Sequence, residues 1–246
     1  MKIVFIGTGA CTPEIGQEVA SFVINGNILV DTGWCNVLKM REYGLDPMDI
    51  RYLILTHLHQ DHYLGLPQLL FYLWAHRVSR KSVSPLVIIG PSQHLNEIVA
   101  ASKAFLQIKR FSEIVLETDV VPLVPGKTYK GADFVLETIA AKHFSGGGGM
   151  EEALSCKITY PSTAQSMVFS GDTSFHPPLA ELARKTPMLI HDACHSAPAE
   201  AARIAQMADA ERLYLIHCQE KAVMMDDVRR IFPRAFMARD GLTVEL

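Results

Sequence analysis

Short apolar runs alternate along the chain with longer segments whose apolar residues recur at helical spacing. Apolar runs of this length are typical of strands. Strands are predicted at residues 2–6, 20–24, 28–31, 52–56 and 86–90, and again at 134–140, 155–160, 166–170, 187–191 and 213–217. Asn25-Gly26-Asn27 predicts a hairpin turn between the second and third of these strands.

Four helices are predicted between the strands. Leucines recur at helical spacing through residues 66–73, and Pro67 suits the first turn of that helix. The other helices are predicted at 92–108, with Ser92 at its start, at 196–208, with Ser196 as its cap, and near 220–231. Strands and helices together predict an α/β fold with two strand-rich halves.

No linker rich in proline, glycine or serine separates these halves. Gly146–Gly149 is too short to join two domains and predicts a mobile loop. A chain of 246 residues is long enough to bury a substantial core. We therefore expect residues 1–246 to form a single α/β domain.

Composition limits the binding partners and the cellular compartment that we expect for this protein. The formal charge of −3 gives no general attraction to nucleic acid or to an anionic membrane, so affinity for a phosphate group has to come from a local feature such as bound cations. Arg77, Arg80 and Lys81 form a small basic cluster, for which a solvated helix end is the simpler interpretation. The five cysteines have no C-x-x-C spacing, and the opening apolar run is too short for a signal peptide. These features favour a cytoplasmic protein with reduced cysteines and no membrane partner.

The segment His57-Leu58-His59-Gln60-Asp61-His62 is the strongest chemical signal in the sequence. Alternation along an extended segment places His57 and His59 on one side, where they can share a metal ion. His62 breaks the alternation as the chain turns toward a helix, so it can pair with Asp61 on a second ion. Imidazole and carboxylate ligands suit borderline divalent metals, zinc first. A histidine-rich surface turn is the weaker alternative.

Residues 56–67, which contain this segment, resemble the signature of the metallo-β-lactamase superfamily, in particular its ribonuclease Z-like branch. The resemblance continues in order through an opening glycine turn, an aspartate turn and three further metal motifs, which match Phe5–Gly9, Leu29–Gly33, His143, Phe169–Thr173 and Leu215–His217. It implies a four-layer αββα sandwich, the metallo-β-lactamase fold. It also implies two divalent metal ions, with Zn²⁺ expected and Mn²⁺ or Fe²⁺ as alternatives.

The resemblance further implies a ligand set of seven residues. One metal ion would be bound by His57, His59 and His143, the other by Asp61, His62 and His217, with Asp172 bridging the two. Asp172 and His217 each follow a predicted strand, and strand ends hold ligands rigidly.

Three further residues are expected to support this centre. Asp31 either accepts a hydrogen bond from a ligating imidazole or simply closes the turn before Gly33. Residues 191–197 resemble a compressed form of a stretch of the ribonuclease Z-like branch, with Asp192 where glutamate is usual. That likeness implies that His195 contacts the scissile phosphate or protonates the leaving oxygen, while a plain helix boundary is the structural alternative.

The resemblance implies a metal-dependent hydrolase, and our preferred hypothesis is a phosphodiesterase in which Asp61 and His195 are the catalytic residues. The tRNA-gripping arm of ribonuclease Z often lies between the third and fourth metal motifs, where this chain has only residues 144–171. A small or cyclic phosphodiester is therefore expected rather than tRNA, and a homodimer is possible by analogy.

Other functions stay open at this stage. They are processing of tRNA 3′ ends, hydrolysis of a thioester, lactone, β-lactam or sulfate ester, and metal-stabilised binding without turnover. An iron-dependent oxidoreductase is disfavoured because His59 stands where such relatives use glutamate.

Overall fold

The computed structural model describes residues 1–77, 85–111, 117–144, 152–218 and 223–246. Two sequence predictions lie outside these ranges: the mobile loop at Gly146–Gly149, and Arg80 and Lys81 of the basic cluster.

Two seven-stranded sheets form the centre of the described structure. The first contains β1 (Lys2–Gly7), β2 (Ser21–Ile24), β3 (Ile28–Val30), β4 (Tyr52–Ile54), β5 (Leu86–Pro91) and β6 (Thr118–Leu123), and also β14 (Thr243–Glu245). The second contains β7 (Thr128–Lys130), β8 (Val135–Ala140), β9 (Leu154–Tyr160), β10 (Gln165–Phe169), β11 (Leu189–Asp192), β12 (Leu213–Ile216) and β13 (Ala235–Met237). The strand orders are β14-β1-β2-β3-β4-β5-β6 and β13-β12-β11-β10-β9-β8-β7.

The inner faces of the two sheets pack against each other through apolar side chains. Phe22 of β2 and Phe169 of β10 meet edge to face, with ring centroids 5.1 Å apart. Helices bury the outer faces as well. Strands that are covered on both faces read as continuous apolar runs, which is why the sequence predicted the central strands.

The helices are α1 (Asn36–Glu42), α2 (Gln60–Tyr63), α3 (Leu66–Arg77), α4 (Leu95–Phe105), α5 (Pro178–Leu182), α6 (Pro198–Met207) and α7 (Met225–Ile231). Buried side chains of α1, α3 and α4 pack on the first sheet, and those of α5, α6 and α7 pack on the second. This arrangement confirms the predicted four-layer αββα sandwich. Within the described ranges, every helix is too short or too polar to span a bilayer.

Local sequence chemistry explains some element boundaries and not others. The predicted hairpin turn joins β2 to β3, with positive φ angles of 50° at Asn25 and 77° at Gly26. The predictions that Ser92 starts one helix and that Ser196 caps another are wrong, because both hydroxyls donate hydrogen bonds to residues elsewhere in the fold. Ser92 Oγ donates to Glu152 Oε1 at 2.9 Å, and Ser196 Oγ donates to the backbone oxygen of Thr173 at 2.7 Å. α4 and α6 begin after them.

Parallel pairing brings the candidate residues to one end of the sandwich. β3 pairs with β4 in parallel, and β10, β11 and β12 form a parallel set. The carboxyl ends of parallel strands meet at the same edge of a sheet. The residues at or just after these ends are Asp31, His57, Asp172, Asp192 and His217.

Candidate metal centre

The first half of the centre consists of three histidines. His57 follows β4 and is fully buried, and His59 precedes α2. His143 reaches the same point from the chain after β8, and its Nε2 atom lies 3.0 Å from His59 Nδ1. One ring nitrogen from each histidine lies within 4.8 Å of the others. A single cation can therefore contact all three.

The second half consists of Asp61, His62 and His217. Asp61 Oδ2 lies 3.2 Å from His62 Nε2 and 3.6 Å from His217 Nε2. One donor atom from each of these residues again lies within 4.8 Å of the others. His217 follows β12 with a positive φ of 59°, a backbone conformation that residues other than glycine rarely adopt. Such strain concentrates at functional sites.

Asp172 lies between the two halves. Its Oδ2 atom is 3.7 Å from His57 Nε2, 3.4 Å from His62 Nε2 and 3.5 Å from His217 Nε2. The structure thus brings together all seven residues that the sequence predicted as metal ligands.

Several buried donor atoms at the centre lack hydrogen-bond partners among the described residues. They are the Nε2 atoms of His57, His62 and His217 and the Oδ1 atom of Asp172. A buried polar atom without a partner is costly, and most such atoms in proteins are hydrogen-bonded or bind an ion. Imidazole nitrogens and carboxylate oxygens are the donors that zinc-like cations prefer. The donor set therefore fits a pair of divalent cations.

A hydrogen-bond chain behind the ligands sets the tautomer of His57. Asp31 Oδ1 accepts from the Thr56 backbone N–H at 2.8 Å, and Asp31 Oδ2 accepts from the Thr56 hydroxyl at 2.8 Å. The only hydroxyl proton of Thr56 is thereby used, so Thr56 Oγ1 accepts from His57 Nδ1–H, 3.2 Å away. His57 Nε2 is left with a free lone pair facing the centre. The sequence predicted no role for Thr56, because the only feature that distinguishes this residue is its position directly before His57.

Two more imidazoles are oriented from behind by buried carboxylates. His62 Nδ1 lies 2.9 Å from Asp31 Oδ2, and His217 Nδ1 lies 3.1 Å from Asp192 Oδ1. Each contact turns the Nε2 atom of the ring toward the centre. Of the two sequence interpretations of Asp31, the hydrogen bond to an imidazole is the one observed.

His195 lies at the mouth of the centre. Its Nδ1 atom is 3.3 Å from Asp192 Oδ2 and 3.5 Å from Asp172 Oδ2, and its side chain is 34% exposed. Its ring stacks on that of His217 at 5.3 Å between centroids. Asp192 Oδ2 also accepts the backbone N–H of His195 at 3.0 Å, which fixes this residue to the end of β11.

Carboxylates and histidines within the centre shift one another's pKa values even without cations. Burial lowers the pKa of His62 and His217, but nearby carboxylates, Asp172 first, outweigh burial and raise both pKa values well above the ordinary range. Burial raises the pKa of Asp172, but the surrounding histidines outweigh it and hold that pKa well below its ordinary value. Burial lowers the pKa of His57. Protons on His62 and His217 thus stand in for cations in the metal-free chain.

The pKa of His195 is raised from its ordinary value of 6.5. The contact with the Asp192 carboxylate is the largest cause, followed by partial burial, which acts in the opposite direction. A raised pKa increases the protonated fraction of this imidazole at a given pH, and the protonated form can give a proton to a bound molecule.

The chain is similar to known proteins over nearly its whole length. Residues 1–226 match the family model described as "Anti-Pycsar protein Apyc1". The chain is similar to the ribonuclease Z of Pyrococcus abyssi, with 26% identity covering 98% of this chain and 94% of the relative. It is also similar to the ribonuclease Z of Geobacillus kaustophilus, with 24% identity covering 98% of this chain and 97% of the relative.

Solved structures share the fold at low identity. The metallo-β-lactamase fold protein YhfI from Bacillus subtilis superposes with a TM-score of 0.81 at 19% identity, covering 100% of this chain and 99% of that chain. The short form of human tRNase Z superposes with a TM-score of 0.75 at 20% identity, covering 100% and 99%. These similarities confirm the metallo-β-lactamase fold and the ribonuclease Z-like branch that the sequence motifs predicted.

Proposed function

The chain belongs to the family of the anti-Pycsar protein Apyc1, and on that premise we propose that it is a metal-dependent phosphodiesterase acting on a small or cyclic phosphodiester, such as a cyclic nucleotide or a sugar cyclic phosphate. The observation that carries this proposal is the cluster of buried imidazole and carboxylate donor atoms that face one another without hydrogen-bond partners among the described residues.

Two groups of three residues would each hold one divalent cation. His57, His59 and His143 form one group, Asp61, His62 and His217 form the other, and Asp172 would contact both cations. The abundance of imidazole favours Zn²⁺ over Mn²⁺ or Fe²⁺. When bound, such a pair lowers the pKa of water and offsets the negative charge of a phosphoryl group.

Protein side chains would manage the protons of the reaction. Burial raises the pKa of Asp61, but His217 and His62 outweigh burial and hold that pKa below its ordinary value. Asp61 therefore stays ionised, and it can orient the attacking water or take its proton. The oxygen of that water forms a bond to phosphorus as the bond from phosphorus to the leaving oxygen breaks. In its protonated form, which the raised pKa favours, His195 would donate its Nε2 proton to the leaving oxygen, while Nδ1 stays with Asp192.

Chain length supports a small substrate over tRNA. The alignment with the ribonuclease Z of Pyrococcus abyssi runs over 295 positions, and this chain has 246 residues, so that relative carries segments without a counterpart here. Between His143 and Asp172, the described residues form the hairpin of β9 and β10. We keep tRNA 3′-end processing as the second candidate because full-length ribonuclease Z sequences align with nearly the whole chain.

Parallel assays of the metal-reconstituted chain would test the proposal. Bis-p-nitrophenyl phosphate and cyclic mononucleotides would be compared with precursor tRNA and with thioester, lactone, β-lactam and sulfate ester substrates. We expect turnover of phosphodiesters, a large loss in His195→Ala, and no change in His94→Ala, whose exposed side chain pairs with Glu97. Efficient turnover of another ester class without phosphodiester cleavage would overturn the proposal, and cleavage of precursor tRNA alone would favour the second candidate. Full metal binding without turnover of any substrate would favour a binding protein.

A further inference from the structure

Two turns at the mouth of the metal centre carry groups that would act on a bound substrate. One turn follows β10 and contains Asp172, and the other follows β11 and contains His195. β10 and β11 pair in parallel, so the two turns lie side by side at the same edge of the sheet. Each turn also contains a fully buried hydroxyl residue, Thr173 in the first and Ser196 in the second. The place of His195 relative to Asp172 therefore depends on how the two turns are joined.

Hydrogen bonds in both directions join these turns. Ser196 Oγ donates to the backbone oxygen of Thr173 at 2.7 Å, and the Thr173 backbone N–H donates to Asp192 Oδ2 at the longer distance of 3.3 Å. Asp192 Oδ2 also accepts the backbone N–H of His195 and contacts His195 Nδ1, so several groups share this oxygen. The Ser196 hydroxyl has a single proton, and that proton goes to Thr173 alone. The bond from Ser196 is thus the shorter and unshared link between the turns.

The turn that contains Thr173 is itself tied to the chain that carries His143. Thr173 Oγ1 accepts from the Lys142 backbone N–H at 3.0 Å, and the Ser174 backbone N–H donates to the Lys142 backbone oxygen at 2.9 Å. The rings of His143 and His195 meet edge to face, with centroids 4.7 Å apart. The ring of His195 therefore packs against a candidate ligand whose backbone is held by the same turn.

His195 depends on this support because its side chain is 34% exposed. Its Nδ1 atom contacts Asp192 and Asp172, whereas Nε2 is the atom that the proposed reaction uses. A proton donor acts only within about 2.6 to 3.2 Å of its acceptor. A displacement of roughly 1 Å can lower a rate about 100-fold. The rate should therefore be sensitive to the position of the turn that carries His195.

We propose that Ser196 is a positioning residue, whose hydroxyl fixes the distance between His195 and Asp172 through its bond to the backbone oxygen of Thr173. Ser196 is fully buried, so it acts through His195 and does not contact a substrate. This proposal rests on the proposed function, because the group that Ser196 aligns is the one assigned to protonate the leaving oxygen. Its structural part, the place of the His195 ring, can be measured without any turnover.

Substrates with different leaving groups give the first test. An alkoxide needs a proton as it leaves, whereas p-nitrophenolate is a stable anion and needs less help. In Ser196→Ala, kcat for cyclic adenosine monophosphate should fall about tenfold or more, and kcat for bis-p-nitrophenyl phosphate only about threefold or less. KM should change little for either substrate, because Ser196 does not contact them. His195→Ala should show the same order of losses, larger in size.

Metal content and a matched variant separate positioning from a general loss of structure. Ser196→Ala should bind as many cations as the original chain, measured by elemental analysis after gel filtration. Ser102→Ala is the control, because it also removes a buried serine hydroxyl, on α4, and it should change neither the cation content nor either kcat. If Ser196→Ala does not fold, Ser196→Cys replaces it, since a thiol is of similar size and only a weak donor.

A crystal structure of zinc-reconstituted Ser196→Ala gives the second test and needs no substrate. The distance from His195 Nδ1 to Asp172 Oδ2, which is 3.5 Å in the original chain, should lengthen by about 1 Å or more. An unmoved His195 ring, equal losses of kcat for the two substrates, or loss of a bound cation would each overturn the role of Ser196. Absence of phosphodiester turnover in the original chain would instead overturn the proposed function, and the movement of the ring would still be measured.

Discussion

Thr56 donates its hydroxyl proton to Asp31 across a 2.8 Å hydrogen bond, although the two residues lie on different strand ends. This bond obliges Thr56 Oγ1 to accept from His57 Nδ1, and Asp31 Oδ2 lies 2.9 Å from His62 Nδ1 as well. A single buried pair therefore orients one imidazole from each half of the centre. Contacts of this kind typically change metal affinity by about 10- to 100-fold.

Thr56→Val should lower metal affinity about 10- to 100-fold, because valine keeps the shape of threonine but removes both hydrogen bonds. Thr56→Ser should retain affinity close to that of the original chain. Competition with a chromogenic chelator measures the effect. Equal affinities in the valine and serine variants would show that the hydroxyl does not orient the ligands.

His143→Ala should leave the chain with about one cation instead of two, because among the described residues the candidate ligand group that contains this histidine is the one formed with His57 and His59. Elemental analysis after reconstitution and gel filtration measures the change. His76→Ala is a suitable control, since that exposed side chain bonds to the backbone oxygen of Tyr72, away from the centre. Retention of two tightly bound cations in His143→Ala would contradict the assignment.

His195→Ala should reduce phosphodiester turnover about 10²- to 10⁴-fold without loss of bound cations, as expected for a proton donor that is not a ligand. The pKa of His195 is raised chiefly by Asp192, so the acid form persists above the ordinary value of 6.5. The rate should fall as pH rises through that raised pKa.

Asp192→Asn should move this alkaline limb to lower pH, because it removes the negative charge that stabilises the imidazolium. Asp192→Glu keeps the charge and is the control. Asp192 also accepts from His217 and from backbone N–H groups, so thermal unfolding of both variants should be recorded. If the alkaline limb of Asp192→Asn lay at the same pH as that of the original chain, the contact between Asp192 and His195 would not be the cause of the raised pKa.

The metal-free chain should become less stable as pH rises above neutrality. The pKa values of His62 and His217 are raised, so the stability that their protons contribute is complete below the unfolded value near 6.5 and is lost as pH rises through the folded values. The Tm of the metal-free chain should therefore fall by several degrees between about pH 6.5 and pH 9. The metal-loaded chain should show no such fall, because cations replace the protons. If the Tm of the metal-free chain and the Tm of the metal-loaded chain changed with pH in the same way, this linkage would be contradicted.

The sequence predicted the central strands and the ligand cluster because each has a local signature. Ile28–Val30 and Leu213–Ile216 are continuous apolar runs buried on both faces, and the histidine-rich segment carries its own spacing. The four edge strands β6, β7, β13 and β14 were not predicted, because many of their residues are exposed and none of these strands forms a continuous buried run. β14 pairs with β1, at the opposite end of the chain, so this pairing has no local signal.

Contacts between distant residues explain three further differences between the sequence predictions and the structure, at Ser92, Ser196 and Thr56. The hydroxyls of Ser92 and Ser196 bind partners far along the chain, which no capping rule anticipates. The role of Thr56 likewise depends on Asp31, which lies 25 residues earlier. Local motifs identified the candidate ligands, whereas the groups that orient these ligands could be identified only from the structure.

Anomalous diffraction at the zinc absorption edge, from crystals of the zinc-reconstituted chain, tests the central claim most directly. We predict two peaks, one among His57, His59 and His143 and the other among Asp61, His62 and His217, with Asp172 between them. The absence of a peak at this cluster, or stoichiometric zinc bound only elsewhere on the chain, would contradict the account.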